Sequence, residues 1–165
     1  MGFKDLTHVT IYTDGASRGN GSENSIGAYG AVLQAKKNDT FDDIFHCREI
    51  SEAFKGVTNN QMELMAVVKA LELLQYPCRV TIYTDSKYVC DAINKRWLDK
   101  WVVSHWKTST KKPVANKDIW ERLEELLKIH VVNFEWVKGH ADNEGNIKAD
   151  LLCNKAMDNY IKNNM

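Results

Sequence analysis

The chain has 165 residues, 44% of them hydrophobic and 27% charged, which is the composition of an ordinary globular protein with the length of one domain, 1–165. It has no basic, apolar leader and no apolar run long enough to span a bilayer, so we expect no membrane partner and a cytoplasmic location. Nothing in the sequence suggests more than a monomer, which is the expected state. The four cysteines form no CxxC pair, and reduced thiols are therefore favoured over disulfides or a zinc site.

The net charge is zero, from 22 basic and 22 acidic residues, but the charges are segregated along the chain. Lys95 to Lys117 contains seven basic residues and one acid, a local charge of +6, which leaves −6 for the other residues. This segment is expected either to contact a polyanion or to form a solvated charged face.

A six-residue sequence, VTIYTD, occurs twice, at Val9–Asp14 and at Val80–Asp85. Its β-branched and aromatic residues predict a strand that ends at the aspartate in each copy. Because side chains alternate between the faces of a strand, Asp14 and Asp85 would share one face and one edge if the strands lie side by side. Neighbouring carboxylates repel unless they share a proton or a cation, so the repeat predicts a metal site. The alternative is that each aspartate only ends its strand or caps the next element.

Between the two copies the hydrophobic pattern changes from strand to helix. After a glycine-rich loop at 15–22, strands are predicted at Ile26–Ala35 and Phe45–Phe54, which form an antiparallel meander with the first copy. No helix begins directly behind the loop, so a phosphate-binding loop of the P-loop kind is disfavoured. A helix is predicted from Thr58, its N-cap, to Leu74, and the second copy then completes a parallel crossover.

Glu63 lies on the core-facing side of this helix, in line with Val67, Ala70 and Leu74. A carboxylate on that side has to lie near the rim and be paired, because burying it unpaired costs several kcal/mol. The alternative is a first-turn glutamate favoured by the helix dipole, although the dipole does not explain its face.

The second half of the chain begins with a helix that Ser86 is predicted to cap and that ends near Lys95. The stretch 97–112 has no clear period, and its tryptophans are interleaved with lysines. This pattern suits either a surface that stacks on bases beside neutralised phosphates or a small core beneath lysine stems. A helix is then predicted from Asn116 or Asp118 to Lys128, followed by a strand at Val131–Val137. A polar loop at 138–146 comes next, and a final helix follows it.

Five short motifs follow one another along the chain: Asp14-Gly15-Ala16, TNNQMEL at 58–64, Thr84-Asp85-Ser86, WVKGH at 136–140 and Asn146 to Asp150. Together they resemble the motifs of ribonuclease H of type 1, in its bacterial-like form, and cover nearly the whole chain. The resemblance implies an α/β, ribonuclease H-like fold: a mixed five-stranded sheet, an antiparallel meander plus parallel strands, flanked by helices. It also implies an endonuclease that hydrolyses the RNA strand of RNA/DNA hybrids by two-metal-ion catalysis, leaving 5′-phosphate and 3′-hydroxyl ends.

The resemblance further implies the site residues. It places metal ligands at Asp14, Glu63, Asp85 and Asp150, and the histidine of the catalytic loop, which would move protons or assist product release, at His140. Two Mg²⁺ ions, with Mn²⁺ as a substitute, are the implied cofactors, because hard cations prefer oxygen ligands and a pair of them offsets charge on the entering and leaving oxygens. Small polar groups and the basic segment are expected to contact the hybrid, namely Gly15, Asn20, Thr58, Asn59, Asn60, Ser86, Trp97, Trp101, Trp106, Lys107, Lys111 and Lys112.

Two other classes of function compete with this interpretation: a hybrid-binding module without catalysis and a DNA-processing enzyme built on the same sheet. All four acids and His140 are present, which disfavours the first, and the TNNQMEL and WVKGH sequences disfavour the second. The chain departs from the bacterial pattern at Gln61, in a longer first hairpin at Ser22–Ser25 and in the uncharged Val102–Ser104 of the basic segment. The last departure implies weaker hybrid binding or a greater dependence on the tryptophans.

Overall fold

The centre of the fold is a five-stranded sheet in a computed structural model that describes residues 7–19, 23–36, 44–138 and 143–164. Its strands in chain order are β1 Thr7–Arg18, β2 Ile26–Lys36, β3 Ile44–Lys55, β4 Cys78–Thr84 and β5 Val131–Trp136. They lie side by side in the order β3-β2-β1-β4-β5. The first three pair antiparallel, whereas β4 is parallel to both β1 and β5. The mixed sheet predicted from the sequence is therefore confirmed.

The described residues form five helices: α1 Asn59–Glu72, α2 Lys87–Asn94, α3 Trp97–Val103, α4 Lys117–Ile129 and α5 Glu144–Asn164. The sequence did not predict α3, which has only seven residues and follows Arg96 in a left-handed conformation with φ of 61°. A helix of two turns is too short to establish a hydrophobic period. Within the described ranges, no helix is both long enough and apolar enough to cross a bilayer.

The main hydrophobic core lies between one face of the sheet and the helices α1, α2 and α4. Val9 and Ile11 of β1 and the equivalent Val80 and Ile82 of β4 belong to this core, as does the fully buried Trp120. Each fully buried side chain of this size contributes about 1.5 to 3 kcal/mol by the hydrophobic effect. The valine and the isoleucine of each VTIYTD copy therefore pack into the same core.

The opposite face of the sheet is covered by α5. Tyr12 and Tyr83 stack on this face with ring centroids 5.4 Å apart. The apolar contacts of α5 form a second, smaller cluster around Ala28, Cys153 and Met157, separate from the main core. The sheet is thus sandwiched between a large core and a small one.

β1 is longer than the repeat predicts. It runs past Asp14 to Arg18, because Gly15 to Arg18 continue the antiparallel pairing with β2. The prediction that both strands end at their aspartates is therefore wrong for Asp14, which lies inside a strand. β4 does end there, at Thr84, the residue before Asp85. The parallel, in-register pairing of the two copies is as the repeat suggested.

Candidate active site

Asp14 is a buried carboxylic acid, 5% exposed, in the strand that runs beside the one leading to Asp85. The pKa of Asp14 is raised to about 8, chiefly because burial removes water from the carboxyl group. A hydrogen bond with Asp150 and the negative charges of Asp85 and Asp150 raise this pKa further, while the backbone N–H of Gly15 lowers it. The fold therefore gathers negative charge around a group that is poorly solvated.

Glu63 reaches the site because α1 packs closely against β1. A Cβ on Gly15 would overlap the backbone of Met62 and Glu63, so only glycine lets the first turns of α1 lie this near the strand. Thr58 caps the helix as predicted: its hydroxyl accepts from the backbone N–H of Gln61 at 3.1 Å, and the Gln61 side chain accepts from the backbone N–H of Thr58 at 3.4 Å. The TNNQMEL motif is thus the start of the helix that carries Glu63.

Ser86 connects Glu63 to the start of α2. The pKa of Glu63 is raised by burial, lowered by a hydrogen bond from the Ser86 hydroxyl, and raised by the charge of Asp85. The Ser86 oxygen also accepts from the backbone N–H of Val89 at 3.1 Å, which makes it the predicted N-cap of α2. One hydroxyl therefore orients a carboxylate and begins a helix.

The main chain at Asp85 is held by the WVKGH motif. The indole N–H of Trp136 donates to the carbonyl oxygen of Asp85 at 3.0 Å, and the ammonium group of Lys87 lies 4.9 Å from the centre of the Trp136 ring. The backbone N–H of Val137 donates to the carbonyl of Thr84 at 2.9 Å, just beyond the end of β5. These contacts fix the peptide from which the Asp85 side chain projects.

Asp150 reaches the site because α5 packs closely on the other face of the sheet. Gly30 of β2 pairs with Asp14, and a Cβ on Gly30 would overlap the carbonyl oxygen of Ala149, the residue before Asp150. Glycine at this position therefore lets α5 lie directly over the strand pair. Gly15 and Gly30 thus lack side chains on opposite faces of the sheet. At these two points α1 brings Glu63, and α5 brings Asp150, close to the strands.

Asn146, one helical turn before Asp150, attaches α5 to the two central strands. It is completely buried, and its amide nitrogen donates to the carbonyl oxygens of Thr13 at 3.3 Å and Tyr83 at 3.0 Å. Those carbonyls belong to β1 and β4, close to their aspartates. A single side chain therefore sets the position of α5 relative to both acid-bearing strands.

Four carboxylates from separate elements thus act on one another, Asp14 with Asp85 and Asp150, and Asp85 with Glu63. Among the residues that the structure describes, no three His, Cys, Asp or Glu side chains stand in an arrangement that could already hold a metal ion. The donor chemistry nevertheless fits a hard divalent cation, because only oxygens are offered and burial disfavours their negative charge.

The small polar residues predicted to contact nucleic acid lie at the start of α1 and beside it. The Asn59 side-chain oxygen accepts from the backbone N–H of Ser17 at 2.6 Å, which links the helix start to the end of β1. Asn60 is exposed. Two further predicted residues, Asn20 and His140, lie outside the described residues.

The basic segment, Lys95–Lys117, consists of α3 and the chain that follows it. Trp101 packs edge-on against the buried Trp120 with ring centroids 5.3 Å apart, and Trp106 packs against the same core. Trp97 is 36% exposed. Much of the Trp101 and Trp106 surface therefore extends the core, in line with the alternative weighed from the sequence, while Trp97 presents its ring to solvent.

The outer side of the basic segment carries positive charge beside the exposed Val102 and Val103. Its predicted contact lysines, Lys107, Lys111 and Lys112, are all exposed. A cavity of about 520 Å³ lies between α3 and the following chain, and it is lined by Trp97, Lys100, Trp101, Ser104, Lys107, Thr108 and Ser109.

Sequence reasoning missed three residues around the acids: Gly30, Arg18 and Asn154. The spacing of Asn146, Asp150 and Asn154, four residues apart along one helix, was a readable signal that polar groups share one face of α5. Gly30 and Arg18 had no such signal, because their importance depends on which helix packs over them.

The fold and the four acids define the class of the protein, an α/β enzyme with the ribonuclease H-like fold. LC9-RNase H1, a type 1 RNase H with the type 2 active-site motif, has a crystal structure similar to this one, with a TM-score of 0.81 and 27% identity, covering 93% of this chain and 74% of that chain. LC11-RNase H1, crystallised in complex with an RNA/DNA hybrid, has a similar fold, with a TM-score of 0.63 and 23% identity, covering 93% of this chain and 99% of that chain.

The sequence identifies the family. The RNase H family model matches residues 6–158, and a ribonuclease H of Clostridium botulinum is 55% identical over 155 residues, which cover 94% of this chain and 99% of the relative. The chain therefore belongs to the ribonuclease H family, as the five motifs indicated. Its activity is endonucleolytic hydrolysis of the RNA strand of RNA/DNA hybrids, and members of the family need divalent metal ions.

Proposed function

We propose that Asp14, Glu63, Asp85 and Asp150 hold two Mg²⁺ ions and that the RNA strand of a hybrid is hydrolysed beside them. The observation that carries this proposal is the meeting of four carboxylates from separate elements: Asp14 is buried and hydrogen-bonded to Asp150, and Asp85 lies close to both Asp14 and Glu63. Such a gathering of acids is unfavourable in itself and becomes favourable with cations present. When bound, the two ions would offset charge on the entering and leaving oxygens of the scissile phosphate, and Mn²⁺ would substitute through the same oxygen ligands.

The protein's own contribution is to hold the acids ready. Ser86 orients Glu63, Trp136 fixes the peptide of Asp85, and Asn146 attaches α5 to the central strands. Because these groups are fixed before substrate arrives, little reorganisation is needed when the phosphodiester binds.

We assign one hybrid-contacting surface to the first turn of α1, next to Gly15. Thr58, Asn59 and Asn60 present short polar side chains there, and the start of a helix also favours an anionic group. Ser86 lies nearby through its hydrogen bond to Glu63. Groups of this size suit strand phosphates and the 2′-hydroxyl that distinguishes RNA from DNA.

We assign a second contact surface to the exposed side of the basic segment. Trp97 offers a partly exposed ring, while Lys107, Lys111 and Lys112 offer positive charge to phosphates. The core contacts of Trp101 and Trp106 leave them a smaller share of this surface than the sequence suggested.

The proposed roles of His140 and Asn20 rest on the sequence alone. His140 is the last residue of the WVKGH motif, and an imidazole can transfer protons near neutral pH or assist product departure. Asn20 follows the end of β1 and belongs to the glycine-rich loop.

We further propose that residues 1–165 act as one ribonuclease H domain, as a monomer, in the cytoplasm. The family model spans 6–158, and a single sheet supports all four acids. Cys78, Cys90 and Cys153 are free thiols that the fold buries, as suits a reducing compartment. Analytical ultracentrifugation that found twice the mass of the chain would contradict the monomer.

The test is cleavage of labelled RNA/DNA hybrid, RNA duplex and DNA duplex, each with Mg²⁺ and with chelator. We expect cleavage of the hybrid alone, only with Mg²⁺, and its abolition in Asp14→Asn with the fold retained, because that change removes a group that can ionise to bind a cation and removes no packing volume. Asp118→Asn, at an exposed aspartate of α4, is the matched control and should cleave normally. Binding without cleavage, cleavage of DNA duplex, or an active Asp14→Asn variant would each refute the proposal.

A further inference from the structure

We propose that Asn154 is a positioning residue for Asp150, and that Arg18 fixes the orientation of the Asn154 amide. The inference rests on the proposed function, in which Asp150 is a metal ligand. It assigns a task in the site to two residues, Asn154 and Arg18, that lie outside all five sequence motifs.

Asn154 contacts Asp150 one turn earlier on α5. The amide nitrogen of Asn154 donates to the side-chain oxygen Oδ1 of Asp150 at 3.2 Å and to the backbone carbonyl of Asp150 at 3.0 Å. The same carboxylate also hydrogen-bonds to Asp14. Asp150 is therefore held from two sides, by a neutral donor on its own helix and by an acid on β1.

Arg18 sets the orientation of the Asn154 amide. The guanidinium group of Arg18 donates to the side-chain oxygen of Asn154 at 3.4 Å and to Asp158 at 2.8 Å. Because a guanidinium group has donors only, the oxygen of the Asn154 amide must face Arg18. The NH₂ group must then face Asp150. Arg18 is the last residue of β1, so the strand that carries Asp14 also sets the amide that holds Asp150.

The hydrogen bond from Asn154 to Asp150 is expected to strengthen metal binding. Without a donor at Asn154, rotation of the half-buried Asp150 side chain is less restrained. Hydrogen-bond partners that orient metal ligands typically change metal affinity by about 10- to 100-fold when they are removed. Asn154 acts in this way through Asp150 and needs no contact with the metal or the substrate.

Isothermal titration of the full chain with Mg²⁺ alone tests the inference in the absence of hybrid. We expect Asn154→Ala to weaken Mg²⁺ binding by about tenfold. The KM for hybrid should stay close to that of the parent at saturating Mg²⁺, because the role proposed for Asn154 acts through Asp150 and the metal. Alanine is the better helix former, so the midpoint of thermal unfolding should not fall.

Asn164→Ala is the matched control, since the Asn164 amide donates to the backbone carbonyl of Tyr160 at 2.8 Å, the same contact four residues back on the same helix. It should bind Mg²⁺ like the parent. Unchanged affinity in Asn154→Ala, or an equal loss in Asn164→Ala, would overturn the positioning role.

The role of Arg18 is tested by a double-mutant cycle. Arg18→Ala should weaken Mg²⁺ binding in the parent and have no further effect in the Asn154→Ala background, and additive effects would overturn the link between them. Asp150→Asn separates this inference from the proposed function. If that variant keeps the parent affinity, or the parent binds no Mg²⁺, both fail; if it loses Mg²⁺ while Asn154→Ala binds normally, only the positioning role fails.

Discussion

Asp14 couples the stability of the metal-free protein to pH. Its pKa is raised from an ordinary value of 3.8 to about 8, so between these values the folded chain keeps a proton that the unfolded chain has lost. Stability should therefore fall as the pH rises through this window, by at most about 1.4 kcal/mol per pH unit from this group. Urea unfolding at a series of pH values, with a chelator present, measures the slope.

Asp14→Asn provides the reference for that slope, because an amide does not titrate. The variant should lose less stability with rising pH than the parent does. Mg²⁺ favours the ionised carboxylates and should flatten the slope of the parent alone. A parent slope no steeper than that of the variant would show that Asp14 ionises normally.

At the level of secondary-structure elements, Gly30 sets the distance between α5 and the sheet. In Gly30→Ala the new Cβ meets the carbonyl of Ala149, which is backbone and cannot rotate away, so α5 must move outward. We expect a loss of about 1 to 3 kcal/mol in the free energy of unfolding. Activity at saturating hybrid and Mg²⁺ should fall by more than the unfolded fraction explains, because Asp150 moves with the helix.

The control for this change is Lys155→Gly, at an exposed position of α5. Glycine in a helix costs about 1 kcal/mol without altering the spacing between helix and sheet. This variant should keep its activity at a comparable stability. If both variants lose activity alike, the spacing at Gly30 is not what matters.

The basic segment is the element expected to govern the salt dependence of hybrid binding. Replacing Lys107, Lys111 and Lys112 with alanine should lower the slope of log affinity against log salt by about one unit for each phosphate that a lysine had neutralised. Binding titrations with catalytically inactive protein measure this slope. Lys69 of α1 and Lys128 of α4, which pair with Glu72 and Glu124 of their own helices, serve as the control pair. An unchanged slope in the triple variant would remove the segment from the phosphate-binding surface.

Across the whole molecule, the sequence predicted what local pattern controls. The VTIYTD repeat indicated two parallel strands in register, and the caps at Thr58 and Ser86 followed from helix-start chemistry. The motifs pointed to the four acids that prove to act on one another. The strands and caps follow from local residue chemistry, whereas the four acids followed from the resemblance of the five motifs to ribonuclease H of type 1.

What the sequence did not predict depends on packing between distant elements. β1 extends beyond Asp14 because it pairs with β2. The residues of β1 alone do not indicate how far this pairing continues. Trp101 and Trp106 suit stacking and core positions equally well until the position of Trp120 is known. Gly30 likewise looks like any strand glycine until α5 is placed above it.

The small apolar cluster between α5 and the sheet has a consequence for how this enzyme loses activity. Three of the carboxylates belong to the part of the molecule that shares the main core, whereas Asp150 depends on α5, whose Cys153 and Met157 pack on Ala28 of β2. Detaching that helix exposes far less apolar surface than global unfolding and needs correspondingly less free energy. With Asp150 in its proposed role, mild denaturant would therefore abolish catalysis before the interior around Trp120 unfolds.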